Sequence, residues 1–151
     1  MDKDSFVREM DAHGGMMFRT AYSLLRNSED CKDAMQEAAL KAWEMRGRLR
    51  DESKLTPWLM RILINACRDT QRKRKRVVPV DTIPDTPVPP EDPTLRLIID
   101  TLPEKLRLPL VLSYAEGMDY QEIAETLQLT QTAVRGRIHR AKKELSKELE
   151  V

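Results

Sequence analysis

Six of the nine prolines in this chain fall between Val77 and Pro93, and they limit what it can fold into. Pro79, Pro84, Pro87, Pro89, Pro90 and Pro93 each lock φ and lack an amide donor, so no continuous helix can pass through them. The same segment holds Asp81, Asp85, Glu91 and Asp92, with no lysine or arginine. Extended chain is the expectation. Residues 77–93 therefore read as an acidic linker between two small domains, 1–76 and 94–151. A rigid loop packed within one domain is the competing reading. The acidity can suit a basic groove on a partner, or mask basic helices of the chain itself.

Both flanks carry helical periodicity, so the expected fold class is all-α. Aromatic residues are only 5% of the chain, which leaves the cores to aliphatic side chains. In the N-terminal part, Ser5 to Asn27 reads as a helix with a break at Gly14-Gly15. Ser28 reads as the cap of a second helix to about Met45. Its buried side is Cys31, Met35, Ala38, Ala39, Ala42 and Trp43, and its outer stripe is Asp33, Gln36, Glu37, Lys41 and Glu44. A polar loop through Arg46, Arg48, Arg50, Asp51, Glu52 and Ser53 follows. Thr56 and Pro57 read as N-cap and first residue of a third helix, with Trp58, Leu59, Ile62, Leu63, Ala66 and Cys67 as its core side.

The opposite side of that third helix is the first functional signal. Arg61, Asn65, Arg68 and Arg72 share one face, and the helix runs on into Arg72-Lys-Arg-Lys-Arg76. Between Arg61 and Arg76 there are seven cations and one acid. A solvated helix usually intersperses its signs, so an anionic partner is expected. Asn65 stands out, because an amide among arginines can hydrogen-bond a base.

The second signal lies between Tyr114 and Lys143. Asp119 and Glu122 have the spacing of a capping box, and Ile123, Ala124 and Leu127 form an apolar side. After a turn at Gln128 and Leu129, Thr130 caps another helix with an inward stripe of Val134, Ile138, Ala141 and Leu145. This is the pattern of a helix-turn-helix. The stripe leaves Gln131, Thr132, Arg135 and His139 outward near the start of the second helix, with Arg137, Arg140, Lys142 and Lys143 around them. In that motif the start of the second helix reads base edges and flanking cations meet phosphates. An ordinary αα-hairpin with a solvated basic face is the bland alternative.

Other classes are disfavoured. The net charge of +1 conceals this local asymmetry. With no long apolar run and no secretory leader, the chain is expected to be soluble and cytoplasmic. Cys31, Cys67, His13 and His139 offer no short-spaced metal pattern, so buried free thiols and no metal or cofactor are expected. Asp30, Asp33 and Glu37 could gather a metal, but no second carboxylate group, nucleophile–base pair or phosphate loop accompanies them, so no enzyme is expected.

Taken together, these motifs give the chain a family likeness. It resembles an extracytoplasmic-function (ECF) sigma factor, the smallest class of the bacterial sigma-70 family. The likeness rests on Asp33-Ala-Met-Gln-Glu-Ala-Ala-Leu-Lys-Ala-Trp43 and on Trp58, Leu59, Arg61, Ile62 and Asn65. Further along, it rests on Leu102-Pro-Glu-Lys, Glu116-Gly, Tyr120-Gln-Glu-Ile-Ala124 and Val134-Arg-Gly-Arg-Ile-His-Arg-Ala141. The resemblance implies a region 2-like domain at 1–76, the linker at 77–93 and a region 4-like helix-turn-helix domain at 94–151. It implies docking on the clamp helices of core RNA polymerase through Asp33, Gln36 and Glu37. It implies −10 promoter contacts from Arg50, Ser53, Arg61, Asn65, Arg68 and Arg72, with an unstacked base held by the loop. The −35 element would be read by Gln131, Thr132 and Arg135, with Arg137, His139, Arg140 and Lys143 on phosphates. An anti-sigma partner, often membrane-anchored, is implied on the same grounds.

The chain departs from the family pattern at several points. Gln128 stands where the family often has glycine, Gly136 replaces a small polar residue, and Ala133 stands where a hydroxyl is common. Leu49 and Leu55 occupy positions that can carry aromatics, so melting is expected to depend on a near-ideal promoter. Pro109 is expected to kink its helix. Two weak readers on a tether need polymerase to set their spacing, so the free chain is expected to be a monomer that binds promoter DNA poorly. A stand-alone helix-turn-helix regulator remains the alternative; it would normally dimerise on a palindrome.

Overall fold

A computed structural model describes residues 1–74 and 93–149, which are helical with no strands among the described residues. The chain divides into two units, Met1–Thr86 and Pro87–Val151. The acidic segment up to residue 92, and residues 75 and 76 of the basic run, lie outside the described residues.

The first unit contains α1 (Lys3–Leu25), α2 (Ser28–Met45), two 3-10 turns (Arg46–Arg48 and Glu52–Lys54) and α3 (Leu55–Arg74), with the three helices packed pairwise. Ala34, Ala38 and Ala42 are fully buried along one ridge of α2, at a spacing of four residues. Such small side chains let α2 lie close to its neighbours. Met17, Ala21 and Leu25 of α1 and Leu59, Met60, Leu63 and Ala66 of α3 fill the rest.

Three expected boundaries move. Helix α1 runs unbroken through Gly14 and Gly15, capped by Asp2, whose carboxylate accepts from the Ser5 amide at 2.8 Å. Two glycines weaken a helix by about 1 kcal/mol each, and packing against two other helices outweighs that. The cap of α2 is Asn27, not Ser28: its side chain accepts from the Asp30 amide at 3.0 Å, and Ser28 is buried inside the helix. Helix α3 starts at Leu55, directly after the turn capped by Asp51. Thr56 therefore sits in the first helical turn, where its hydroxyl meets His13 Nε2 at 2.9 Å. His13 Nδ1 lies 2.8 Å from the Glu9 carbonyl, so it donates there, and in the neutral ring Nε2 accepts from Thr56. Ala34, rather than Met35, supplies the buried contact on α2.

The end of α3 closes the end of α1. Gln71 donates to the Leu24 carbonyl at 3.2 Å and Arg74 to the Leu25 carbonyl at 2.7 Å. These are carbonyls that the last turn of α1 leaves without helical donors. Arg74 also pairs with Asp30 at 3.2 Å. Cys31 and Cys67 are buried nearby and are not joined in a disulfide. Burial pushes the Cys31 thiol up to about 12 from 9.0. A thiol whose folded pKa is raised contributes stability that is whole below about 9 and drains away as pH rises toward 12. We expect unfolding free energies at pH 8 to 10.5 to fall less steeply in Cys31→Ala than in the native chain; equal slopes would contradict this.

The second unit contains α4 (Pro93–Thr101), α5 (Glu104–Tyr114), α6 (Tyr120–Leu127) and α7 (Gln131–Leu149). Leu102, Leu108, Leu112, Met118, Ile123, Val134, Ile138 and Ala141 make its core. Arg107 is buried and donates to the Leu102 carbonyl at 2.8 Å, closing the α4–α5 corner. Helix α5 runs through the buried Pro109 as one element; because proline lacks an amide, only the Lys105 carbonyl loses a helical donor.

The α6–α7 turn carries strain. Gln128 lies at φ 57°, ψ 47°, the left-handed region where a Cβ is unfavourable. Gln128→Gly should stabilise the unit by on the order of 1 kcal/mol, read as a raised denaturation midpoint. A lowered midpoint would count against the strain.

Candidate nucleic-acid interface

Two cationic helix faces and one polar helix face make up the candidate surfaces. On α3, Asn65, Arg68 and Arg72 are exposed and Arg61 is half-buried, all opposite the core side. The single acid of this face, Asp69, is not idle. It pairs with Arg72 on its own helix and with Lys41 of α2 at 3.8 Å, and Lys41 also pairs with Glu37 at 3.4 Å. A chain of charges thus joins the outer stripe of α2 to the cationic face of α3. Arg74 does not join that face: it lies on the side of Leu63 and Cys67, and its guanidinium is turned onto α1 and Asp30. The same pairing occupies Asp30, one of the three carboxylates that could have gathered a metal.

The loop before α3 places Arg50 and Ser53 in solvent. The Ser53 hydroxyl donates to Asp51 at 2.6 Å, and the Ser53 amide donates to the same oxygen at 3.0 Å. These two bonds hold the Asp51 carboxyl below the usual carboxylate range. Ser53 thus meets any partner mainly as an acceptor. At the other end of the loop, Arg46 lies 3.5 Å over the Trp43 ring and donates to the Trp43 carbonyl, while Phe6 packs edge-on against that ring at 5.2 Å.

On α2, Asp33 and Gln36 are exposed and Glu37 is half-exposed. Leu40 stands on this face with 66% of its surface in water. It was absent from both stripes expected from the sequence. Its spacing, four residues after Gln36 and three after Glu37, could have placed it.

The helix-turn-helix is built from its caps. Asp119 accepts from the Glu122 amide at 2.8 Å, and Glu122 accepts from the Asp119 amide at 3.2 Å. Thr130 accepts from the Ala133 amide at 3.1 Å and starts α7. Val134, Ile138 and Ala141 face inward, whereas Leu145 is only half-buried. Gln131, Thr132, Arg135, His139, Arg140 and Lys143 are exposed, and Arg137 is half-buried. The Arg135 guanidinium lies over the Tyr120 ring, 5.7 Å from its centre. No helix among the described residues is long and apolar enough to cross a membrane.

Known proteins share this arrangement. The Sigma-70 region 2 model matches residues 10–77 and the Sigma-70, region 4 model matches residues 94–145. The RNA polymerase sigma factor CarQ of Myxococcus xanthus is 32% identical over 95% of this chain and 86% of its own length. The ECF RNA polymerase sigma factor SigE of Mycolicibacterium smegmatis is 31% identical over 94% of this chain, which spans 59% of that relative. The fold is similar to that of the sigma factor RpoE of Bartonella quintana, solved in complex with the anti-sigma factor NepR. That match has a TM-score of 0.82 at 23% identity, covering 97% of this chain and 98% of the other. Two sigma-70 regions in order, and relatives matched along nearly the whole chain, place it in one family: the chain belongs to the ECF sigma factors of the sigma-70 family.

Proposed function

We propose that this chain directs transcription initiation as an alternative sigma factor, acting on RNA polymerase in the cytoplasm by binding rather than catalysis. The observation that carries the proposal is the pair of solvent-facing cationic helix faces, one on α3 and one on α7, each in its own sigma-70 region. A stand-alone regulator would use α7 and leave the α3 face without a role.

Residues 1–76 dock on core polymerase through Asp33, Gln36 and Glu37, with Leu40 as an apolar contact within that polar patch. Carboxylates and an amide suit a basic, hydrogen-bonding partner. The −10 element falls to Arg50, Ser53, Arg61, Asn65, Arg68 and Arg72, and the −35 element to Gln131, Thr132, Arg135, Arg137, His139, Arg140 and Lys143. Residues 77–93 tether the two. Polymerase holds both readers in register, which raises the effective concentration of each on the promoter. RpoE was solved with an anti-sigma factor; an anti-sigma partner of this chain would cover these same surfaces, and without one the chain would be a monomer.

Run-off transcription with bacterial core polymerase on fragments of the source genome tests this. New transcripts sharing paired −35 and −10 elements are the expected result. Tight DNA binding by the chain alone, with no transcripts, would replace it with the stand-alone regulator.

Asp69 offers a narrower prediction. It sets a negative charge within the α3 face and holds Arg72. Surface pairs of this kind are worth about 0.2–1 kcal/mol, so Asp69→Asn should tighten binding of single-stranded DNA by roughly 2- to 5-fold at low salt. Fluorescence anisotropy with a mixed-sequence oligonucleotide measures it, and unchanged or weaker binding would remove Arg72 from the interface.

A further inference from the structure

The contact between Arg135 and Tyr120 joins the two helices of the helix-turn-helix at its solvent side. Tyr120 is the first residue of α6, and the reciprocal Asp119–Glu122 hydrogen bonds lock the backbone on either side of it. Tyr120 is half-buried, whereas Arg135 is exposed on α7. Its guanidinium carbon lies 5.7 Å from the ring centre, within the range of an attraction between a cation and an aromatic face.

The chemistry of the two groups makes this contact useful. A guanidinium binds an aromatic ring through its flat face and binds guanine O6 and N7 through the N–H groups on its edge. The ring therefore does not compete with a base. Instead it narrows the rotamers of a long side chain before DNA arrives, so less freedom is lost when the edge engages. A solvated arginine on the same helix has no such restraint.

We propose that Tyr120 is a positioning residue for Arg135 and, through it, a determinant of sequence preference in the −35 duplex. This rests on the reading of α7 as the duplex-reading helix. Tyr120 itself needs no contact with DNA.

The experiment is selection from a randomised −35 duplex by the chain assembled with core polymerase. It uses the native chain, Arg135→Ala, Gln131→Ala, Thr132→Ala, Tyr120→Leu, Tyr120→Phe and the double variant Tyr120→Leu/Arg135→Ala. Arg135→Ala should flatten preference at one position. Tyr120→Leu should weaken preference at that same position by about 2- to 5-fold, Tyr120→Phe should retain it, and Tyr120→Leu should add nothing once Arg135 is gone. Nuclear magnetic resonance of the native free chain gives a second readout that does not depend on a variant folding. Side-chain protons of Arg135 should be shifted upfield by the ring.

The proposal is overturned if Tyr120→Leu leaves that position unchanged. It is also overturned if that variant lowers binding equally at all positions and in the Arg135→Ala background, or if the upfield shift is absent. If Arg135→Ala changes no position while Gln131→Ala or Thr132→Ala does, α7 still reads duplex but Arg135 does not, and the Tyr120 proposal falls alone. If none of the three changes the selection, the reading of α7 falls as well.

Discussion

A chain carrying Asp33→Lys and Glu37→Lys together is expected to lose at least about 100-fold in affinity for core polymerase and to give no run-off product. Setting like charges against each other in an interface costs several kcal/mol, and each 1.4 kcal/mol is tenfold. The fold should survive. Asp33 is exposed, and the pair that Glu37 makes with Lys41 at 3.4 Å is a solvent-facing i, i+4 contact worth about 0.3–0.5 kcal/mol. Competition against the labelled native chain for core polymerase reads the loss, and thermal melting checks the fold. Undiminished competition by a folded double variant would move the docking surface off α2. Leu40 refines the same test, because an exposed leucine amid polar groups gains most from being covered. Leu40→Ser should therefore weaken docking without disturbing the helix.

The second large effect is expected at Ile138. Helix α7 is long but anchors itself through only three buried side chains, Val134, Ile138 and Ala141. Gly136 lies between the first two and costs the helix about 1 kcal/mol relative to alanine. Truncating a fully buried isoleucine removes about 2–5 kcal/mol, and so small a unit rarely holds more than about 3–5 kcal/mol in all. Ile138→Ala should thus unfold most of the second unit at 37 °C while α1–α3 keep their protection. Amide hydrogen exchange resolves the two units in the intact chain. Protection of α7 amides at native levels in this variant would mean that the helix is held by contacts other than its inward stripe.

How much of this was legible before the structure depends on the range of the forces involved. The helix-turn-helix caps were legible because Asp119, Glu122 and Thr130 act on amides three residues away, and such contacts follow from spacing alone. The α3 face was legible because helical periodicity sorts Arg61, Asn65, Arg68 and Arg72 from the apolar side. Helix α4 was not anticipated. It is short, directly follows the proline-rich segment, and places Leu97 with 68% of its surface in water while Ile99 is buried. The break expected at Gly14-Gly15 followed propensity, a weak force that burial of Met17, Ala21 and Leu25 overrides.

By itself, then, the sequence determined the helical class, the caps of the helix-turn-helix, the cationic faces and the family, because each depends on neighbours a few residues apart or on motif order. Tertiary structure decided which polar side chains remain available. It turned Arg74 onto α1 across 49 residues of chain and tied Thr56 to His13 across 43. It also linked Lys41 to Asp69 and laid Arg135 over Tyr120. None of these pairings has a periodic signature, since each exists only because packed apolar ridges bring two distant backbones within reach of a side chain.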